Sequence, residues 1–189
     1  MKKLLALVIL TAMAAIPASL PRKTPEYIIQ MLDGKDQLLS KYRGKVVVIE
    51  FFSPTCPHCQ KTVQTLQKLY KELGPKGFQP IAIAAGLDHK PLIPEFIQQY
   101  GLTFPVGFTD RDQAMPYLQI ANIRDFMVPQ LVFIDKQGMI REQHVGGDDL
   151  FKDEEANTRK KILQLLTAAP VARAKKAVAA VATKSSSQR

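Results

Sequence analysis

The chain has 189 residues, 46% of them hydrophobic, which suits one globular domain with tails. Its formal net charge of +9 is uneven: Lys2 and Lys3 open the chain, and the last twenty residues hold five Lys or Arg and no acid, which leaves about +2 for the middle. This distribution argues against a general polyanion-binding face, so we expect no binding of nucleic acid.

The first 19 residues have the layout of a secretory signal. Met1-Lys2-Lys3 precedes an apolar run over residues 4–16, broken only by Thr11, and small residues follow near Ala18-Ser19. The run is shorter than the roughly 20 residues that a membrane-spanning helix needs. We predict a signal peptide over residues 1–19, with an uncleaved signal anchor in the membrane as the alternative. Either way the domain is expected to be exported to a periplasmic or other extracytoplasmic compartment, where disulfides form.

The next segments predict the start of a sheet. Residues 20–25 are expected to be a Pro-containing linker, and residues 27–32 a short edge strand that Asp33-Gly34 ends with a turn. Residues 45–52 (KVVVIEFF) form a β-branched and aromatic run that is typical of a buried central strand.

A helix is predicted to begin at Cys56-Pro57, because proline lacks only an N–H that the first helical position does not use. Apolar residues continue at helical spacing until Gly74-Pro75 ends the helix. The remaining expected elements are a strand at 79–85, a helix at 94–100, a strand at 104–108, a helix at 112–118, a hairpin of strands 131–135 and 139–145, and a closing helix at 153–168. This order predicts an α/β fold with a mixed sheet.

Residues 170–189 form a basic tail of Ala, Val, Lys and Ser, for which a solvated, disordered state is expected. Weak contact of this tail with an anionic membrane surface is the alternative.

The two cysteines, Cys56 and Cys59, lie three positions apart. A structural disulfide stabilises most when it closes a long loop, and this pair would close almost none, so it is predicted to be a reactive dithiol. Two cysteines are also too few for a Cys₄ zinc site, and we expect neither a bound metal nor a cofactor.

The dithiol is predicted to lie where a strand meets a helix. Unpaired N–H groups and the helix dipole at Cys56 would stabilise a thiolate, which is the nucleophilic form of cysteine. Cys56 is therefore the expected nucleophile, and Cys59, one turn inside the helix, is expected to be more buried and to resolve the mixed disulfide. His58 between them would favour the Cys56 thiolate when it is protonated, or else is an ordinary exposed residue.

Two further residues complete the candidate site. Glu50 is an acid inside an apolar run, and a buried carboxylate is costly without a task, so we expect it to move the proton of Cys59, unless it reaches solvent at the end of the strand. Pro129 precedes a strand and is a candidate for a cis bond after Val128, in a loop that could pair with the backbone of a substrate.

These motifs together resemble the thioredoxin superfamily over roughly residues 25–168. They are CPHC after a strand, an acid six residues earlier, and a proline before a late hairpin. The frame is similar to the TlpA/ResA group of exported thioredoxins, with an N-terminal β-hairpin near residues 27–42 and an insertion near 86–123. The local site, Glu50-Phe51-Phe52-Ser53 before CPHC and valine before the proline, is similar to DsbA. Thr55 departs from the tryptophan usual in TlpA-like proteins, which puts their usual reductase assignment in doubt.

The resemblance implies a thioredoxin-like domain over residues 20–169: a central mixed sheet flanked by helices, with an N-terminal β-hairpin and a helical insertion before the cis-proline. It implies a protein disulfide oxidoreductase in which Pro129 faces the dithiol, and Val128, Pro57 and Pro129 contact the substrate. Expected partners are exported proteins that carry a disulfide or dithiol, including those of cytochrome c maturation, and a membrane or periplasmic redox partner. The direction of electron flow stays open.

Three alternatives remain at this point. A copper-delivery protein of the Sco type would need His89 or His144 beside the cysteines, and both histidines are expected at the surface. A peroxiredoxin would use Ser53 in place of a threonine three residues before its reactive cysteine. A binding module without redox activity is the third alternative.

Overall fold

The computed structural model describes residues 19–168. The predicted signal segment, apart from Ser19, and the basic tail lie outside the described residues. Within residues 19–168, no helix is both long and apolar enough to cross a membrane.

A six-stranded mixed sheet forms the centre of the fold, in the order β1-β8-β7-β4-β5-β6. β4 pairs in parallel with β5 and β5 with β6, whereas β4–β7, β7–β8 and β8–β1 are antiparallel. A separate two-stranded sheet joins β2 and β3. The strands are β1 (Arg22–Lys23), β2 (Ile28–Ile29), β3 (Gln37–Leu38), β4 (Val46–Phe52), β5 (Phe78–Ala85), β6 (Val106–Thr109), β7 (Gln130–Ile134) and β8 (Met139–Val145).

Four α-helices flank the sheet: α1 (Pro57–Leu73), α2 (Ile93–Tyr100), α3 (Arg111–Leu118) and α4 (Glu154–Thr167). Short 3₁₀ segments occupy Leu39–Tyr42, Gly74–Lys76, Leu87–Leu92, Ile123–Asp125 and Asp149–Asp153. α1 begins at Pro57 as predicted, and its apolar face carries Val63, Leu66, Leu69 and Leu73, all fully buried. The 3₁₀ turn after Leu73 ends at Gly77, whose φ of 100° suits glycine because it has no Cβ.

Side chains of β4 alternate between two apolar cores, because successive residues of a strand point to opposite faces. Val46, Val48 and Phe52 pack with α1, α2 and α4, whereas Val47, Ile49 and Phe51 pack with the β2–β3 hairpin and α3. This alternation places the side chain of Glu50 on the face that α1 and α4 cover.

The predicted elements are confirmed with one exception. The predicted linker at residues 20–25 is wrong, because Arg22–Lys23 pairs with β8 as an edge strand, and the Thr24 N–H donates to the Gly138 carbonyl at 2.9 Å. The N-terminal hairpin is present as β2–β3. The insertion predicted near residues 86–123 contains α2 and α3, and its strand β6 extends the sheet beside β5.

Gly107 marks the place where the hairpin meets the sheet. The Phe108 N–H donates to the Gln30 carbonyl at 3.0 Å, and a Cβ on Gly107 would lie 2.6 Å from that oxygen and 2.7 Å from Ile29 Cγ2. A Gly107→Ala protein is therefore expected to lose about 1–3 kcal/mol of unfolding free energy, measured by urea denaturation, because the chain must shift to admit the methyl group. Gly74→Ala is the control, because its Cβ would meet only the Tyr70 ring, at 3.0 Å. Equal stability of the two variants would contradict this close approach.

Candidate functional site

Cys56 and Cys59 lie between the carboxyl end of β4 and the first turn of α1. Cys56 occupies the N-cap position, with φ −86° and ψ 118°, and is half-buried. Its N–H donates to the Ser53 carbonyl at 3.1 Å, and its own carbonyl accepts from the Gln60 N–H at 3.0 Å. Both cysteines are free thiols. Cys56 is therefore the more accessible of the two thiols, and it lies at the end of the helix where backbone N–H groups are unpaired.

Cys59 lies one turn further along α1 and has 0% exposure. Burial raises the pKa of the Cys59 thiol, and the nearby charge of Glu50 raises it further. A thiol of this kind needs a base before it can act as a nucleophile.

Glu50 is fully buried on the helix-covered face of β4, so the alternative in which it reaches solvent is wrong. Its neighbours across the sheet are Ala82 and Leu131, and among residues 19–168 neither carboxylate oxygen has a hydrogen-bond partner. Burial raises the pKa of Glu50 well above its ordinary value, and the charges of Glu154 and Cys56 raise it further. Glu50 is therefore a carboxyl with a high affinity for a proton, close to the dithiol.

The Val128-Pro129 bond is cis, and the loop that carries it forms one wall of an open groove of about 530 Å³. The groove is lined by His58, Lys61, Met127, Val128, Pro129, Gly146, Gly147, Asp148, Phe151 and Lys152. The Pro129 carbonyl accepts from the Gly146 N–H at 2.8 Å, which fixes the two walls to each other. Met127 is 53% exposed at the rim, so part of its apolar surface is free to meet a partner.

The predicted site residues therefore form two groups. Cys56, Cys59 and Glu50 form one group around the first turn of α1, in which Cys59 and Glu50 are buried and Cys56 is half-buried. His58, Val128 and Pro129 form the second group and line the groove. Val128 packs on the same apolar core as Cys59. Pro57 is exposed at the first position of α1 and does not line this groove.

His89 is not the surface residue that the sequence suggested. The 3₁₀ segment Leu87–Leu92 turns its ring inward after Gly86, so that His89 is 7% exposed and its Nε2 lies 3.3 Å from Ser53 Oγ. His144 is half-buried, and its ring nitrogens lie 3.0 Å from Glu142 Oε2 and 3.4 Å from Asp148 Oδ2. Gly86, which directly follows β5, was the sequence signal that could have indicated the inward turn at His89.

Glu154 is a buried acid that the sequence did not single out. It is the first residue of α4 and only 3% exposed. In the sequence it belongs to an acidic stretch that suits any helix N-terminus, so the pattern gave no reason to separate it from its exposed neighbours.

The copper-delivery and peroxidase alternatives depend on His89, His144 and Ser53. In the part of the chain that the structure describes, no group of three or more His, Cys, Asp or Glu side chains could hold a metal ion. The Ser53 hydroxyl is engaged by Thr55 Oγ1 at 3.1 Å as well as by His89.

Comparisons with known proteins identify the family of this chain. The family model described as Redoxin matches residues 19–162. The thiol-disulfide oxidoreductase ResA of Geobacillus thermodenitrificans (strain NG80-2) is 26% identical over 118 residues, which are 62% of this chain and 64% of that protein. The ResA of Bacillus thuringiensis (strain Al Hakam) is 30% identical over 125 residues, which are 66% of this chain and 69% of that protein.

A solved structure matches the fold over a wider range. The crystal structure of a thiol:disulfide interchange protein of the thioredoxin family from Chlorobium tepidum TLS has a TM-score of 0.66 at 20% identity, and the match covers 78% of this chain and 98% of that one. The sheet and its helices therefore form a thioredoxin-like fold. The sequence match to the Geobacillus relative spans less than two thirds of that relative's length.

Proposed function

The chain belongs to the Redoxin family, as a TlpA/ResA-like member of the thioredoxin superfamily, and on this basis we propose that it is a thiol-disulfide oxidoreductase that works through Cys56 and Cys59. The observation that carries the proposal is the arrangement of the two thiols. Cys56 occupies the N-cap position of α1, and Cys59 lies buried one turn inside the helix, near a carboxyl that has no hydrogen-bond partner in the described part of the chain.

The exchange proceeds in two steps in the reducing direction. The Cys56 thiolate attacks one sulfur of a substrate disulfide, which forms a mixed disulfide and releases the other substrate sulfur as a thiolate. Cys59 then gives its proton to the Glu50 carboxylate, and its thiolate attacks the Cys56 sulfur. The products are a Cys56–Cys59 disulfide and a second substrate thiolate, so the substrate gains the two electrons that the dithiol loses.

The groove beside the dithiol is the proposed docking site for the substrate backbone. Val128 and Pro129 line it, and an extended peptide could lie along this loop. His58 is exposed at the same groove, where a positive charge would stabilise the Cys56 thiolate and make the disulfide form more oxidising. Pro57 is exposed beside Cys56 and is proposed to contact the substrate there.

Export is part of the proposal. Residues 1–19 would be a signal peptide or anchor, residues 20–169 the thioredoxin-like domain, and residues 170–189 a solvated basic tail, with weak contact with a membrane surface as the alternative. The substrates would then be exported proteins with disulfides, including those of cytochrome c maturation, and a membrane or periplasmic redox protein would restore the dithiol. The reduction potential of the Cys56–Cys59 couple would distinguish a reductase from an oxidase, since proteins of this fold range from about −270 mV in reductants to about −120 mV in oxidants.

Trapping the mixed disulfide tests the proposal. A Cys59→Ser protein should form a lasting adduct with a substrate that contains a disulfide, such as insulin, because its first step is intact and the resolving thiol is absent. Mass spectrometry under non-reducing conditions should show the adduct mass and place the bond at Cys56.

The parent protein and a Cys56→Ser protein are the controls. Neither should accumulate the adduct, the first because Cys59 resolves it and the second because the attacking thiol is missing. Equal adduct formation by both single variants, or none by Cys59→Ser, would count against the proposed mechanism. Rapid peroxide consumption that depends on Cys56 would favour the peroxidase alternative instead.

A further inference from the structure

A second carboxyl is buried near Glu50. Glu154, at the start of α4, is 3% exposed, and α4 covers the face of β4 to which Glu50 belongs. Both oxygens of Glu50 and Oε1 of Glu154 have no hydrogen-bond partner within the described residues. Buried polar groups are nearly always hydrogen-bonded, so three unpaired carboxyl oxygens in one region are unusual.

The two carboxyls have unequal surroundings. Glu154 Oε2 lies 3.9 Å from the Lys61 ammonium, a side chain that is itself exposed to solvent, and the nearby Thr62 also lowers the pKa of Glu154. Glu50 has no such partner, and its neighbours in the sheet, Ala82 and Leu131, are apolar. A negative charge is therefore better tolerated on Glu154 than on Glu50.

The charge of Glu154 acts on Glu50 across this buried region. After burial, the charge of Glu154 is the largest influence that raises the pKa of Glu50, ahead of the charge of Cys56. Burial also raises the pKa of Glu154, but Thr62, Lys61 and His58 oppose that rise. Like charges that share a buried site cannot both ionise easily, and their titrations then belong to the pair.

We propose, on the basis of the exchange function above, that Glu154 and Glu50 form a coupled carboxyl pair in which Glu154 ionises first and Glu50 gives up its proton only at higher pH, so that Glu50 is the stronger base of the two. Glu154 acts through Glu50 and is a positioning residue in this sense, because it sets how strongly the base near Cys59 holds a proton.

The pair suits the chemistry of the resolving step. Cys59 is a buried thiol that gives up its proton reluctantly, so a carboxylate of ordinary strength would be a weak base toward it. A negative charge on Glu154 strengthens Glu50 as a base without contacting the sulfur. In the form of the protein in which both carboxyls are ionised, the proton moves from the Cys59 sulfur to the Glu50 carboxylate, and Glu154 stays ionised throughout.

Other charged groups near the pair are few. On α1 they are His58 and Lys61, and β5 and β7 contribute no charge beside Glu50. The 3₁₀ segment before α4 contributes Asp149, Lys152 and Asp153, which are exposed. Beyond Leu131, β8 carries His144, whose ring faces Glu142 and Asp148.

Carbon-13 NMR of the Glu50 side-chain carboxyl carbon in the reduced full-length protein tests the proposal. The signal is assigned by its loss in a Glu50→Gln protein. In a Glu154→Gln protein the midpoint of the Glu50 titration should fall by about one pH unit or more, because a like charge is removed. The pH at which the resolving step reaches half its maximal rate should fall in the same direction.

Glu155→Gln is the matched control. Glu155 is the next residue of α4, and its carboxylate lies at the surface, 2.7 Å from Lys68 and 3.1 Å from Arg159. The midpoint of Glu50 should not move in this protein. An unchanged midpoint in Glu154→Gln, or an equal shift in both variants, would overturn the coupled pair.

A second variant covers the case in which Glu154→Gln does not fold. Lys61→Met removes the cation next to Glu154. The first step in the titration of the pair, which is the ionisation of Glu154, should therefore move to higher pH. Lys68→Met, which removes a cation of the same helix that pairs with Glu155, should leave that step in place. No difference between these two variants would refute the proposal.

The titration does not depend on activity, which separates this inference from the proposed function. A coupled titration in a protein that exchanges no disulfides would retain the pair and reject the exchange function. Disulfide exchange in a protein whose two carboxyls titrate independently would retain the exchange function and reject the pair.

Discussion

A Cys56→Ser protein is expected to lose disulfide-exchange activity by about 10³-fold or more, because a serine hydroxyl is not ionised at neutral pH and cannot form a disulfide. The variant should remain folded. Serine is a favourable N-cap residue, whereas the Cys56 side chain makes no capping hydrogen bond in the present structure. The unfolding free energy should therefore equal or exceed that of the parent, and the loss would be one of chemistry.

The rate is measured as the reduction of insulin disulfides by a small dithiol, with urea denaturation of the same preparations. Thr55→Ser is the matched control, because Thr55 is exposed beside Cys56 and also becomes a serine. It should keep most of the parent's activity. A Cys56→Ser protein that reduces insulin as fast as the parent would exclude Cys56 as the nucleophile.

Strong local patterns predicted most of the fold. The run VVVIEFF is buried along its whole length, and β8 has the predicted bounds at residues 139–145. β1 was missed because it is two residues long and gains its hydrogen bonds from β8, more than 100 residues away in the sequence. A strand that exists only through such a distant partner leaves no periodicity in its own segment.

The site residues also fall into two classes: those that a local sequence signal marks and those that it does not. Cys56, Cys59 and Glu50 are marked by their spacing and by the contrast of one acid with an apolar run, which are local signals. Glu154 and His89 carry no local contrast. Burial of Glu154 depends on how α4 crosses β4, and that of His89 on the turn after Gly86, so only the packed structure distinguishes them from surface residues.

Replacing Glu50 with glutamine should slow the resolving step by about 10²–10⁴-fold, the usual contribution of a positioned base. The mixed disulfide should then accumulate in the variant, as measured by acid quenching and mass spectrometry over time. The attack by Cys56 should be affected much less, because Cys56 lies half-exposed at the helix N-terminus and does not need this base. Glu95→Gln, which removes an exposed acid of α2, should leave both steps unchanged.

The same substitution should change how stability depends on pH. The pKa of Glu50 is higher in the folded state than in the unfolded chain, so the folded state binds the proton more tightly, and stability falls as pH rises above the unfolded value of about 4.3. Glu50→Gln removes this loss. As pH rises, the unfolding free energy of the variant should therefore increase relative to that of the parent by up to about 1.4 kcal/mol per pH unit, until the folded-state pKa of Glu50 is passed. Well below pH 4 the difference between the two proteins should no longer change with pH, because Glu50 is then protonated in both states. A constant difference from pH 4 to pH 8 in urea denaturation would mean that Glu50 titrates alike in the folded and unfolded chains, and the buried base would have to be sought elsewhere.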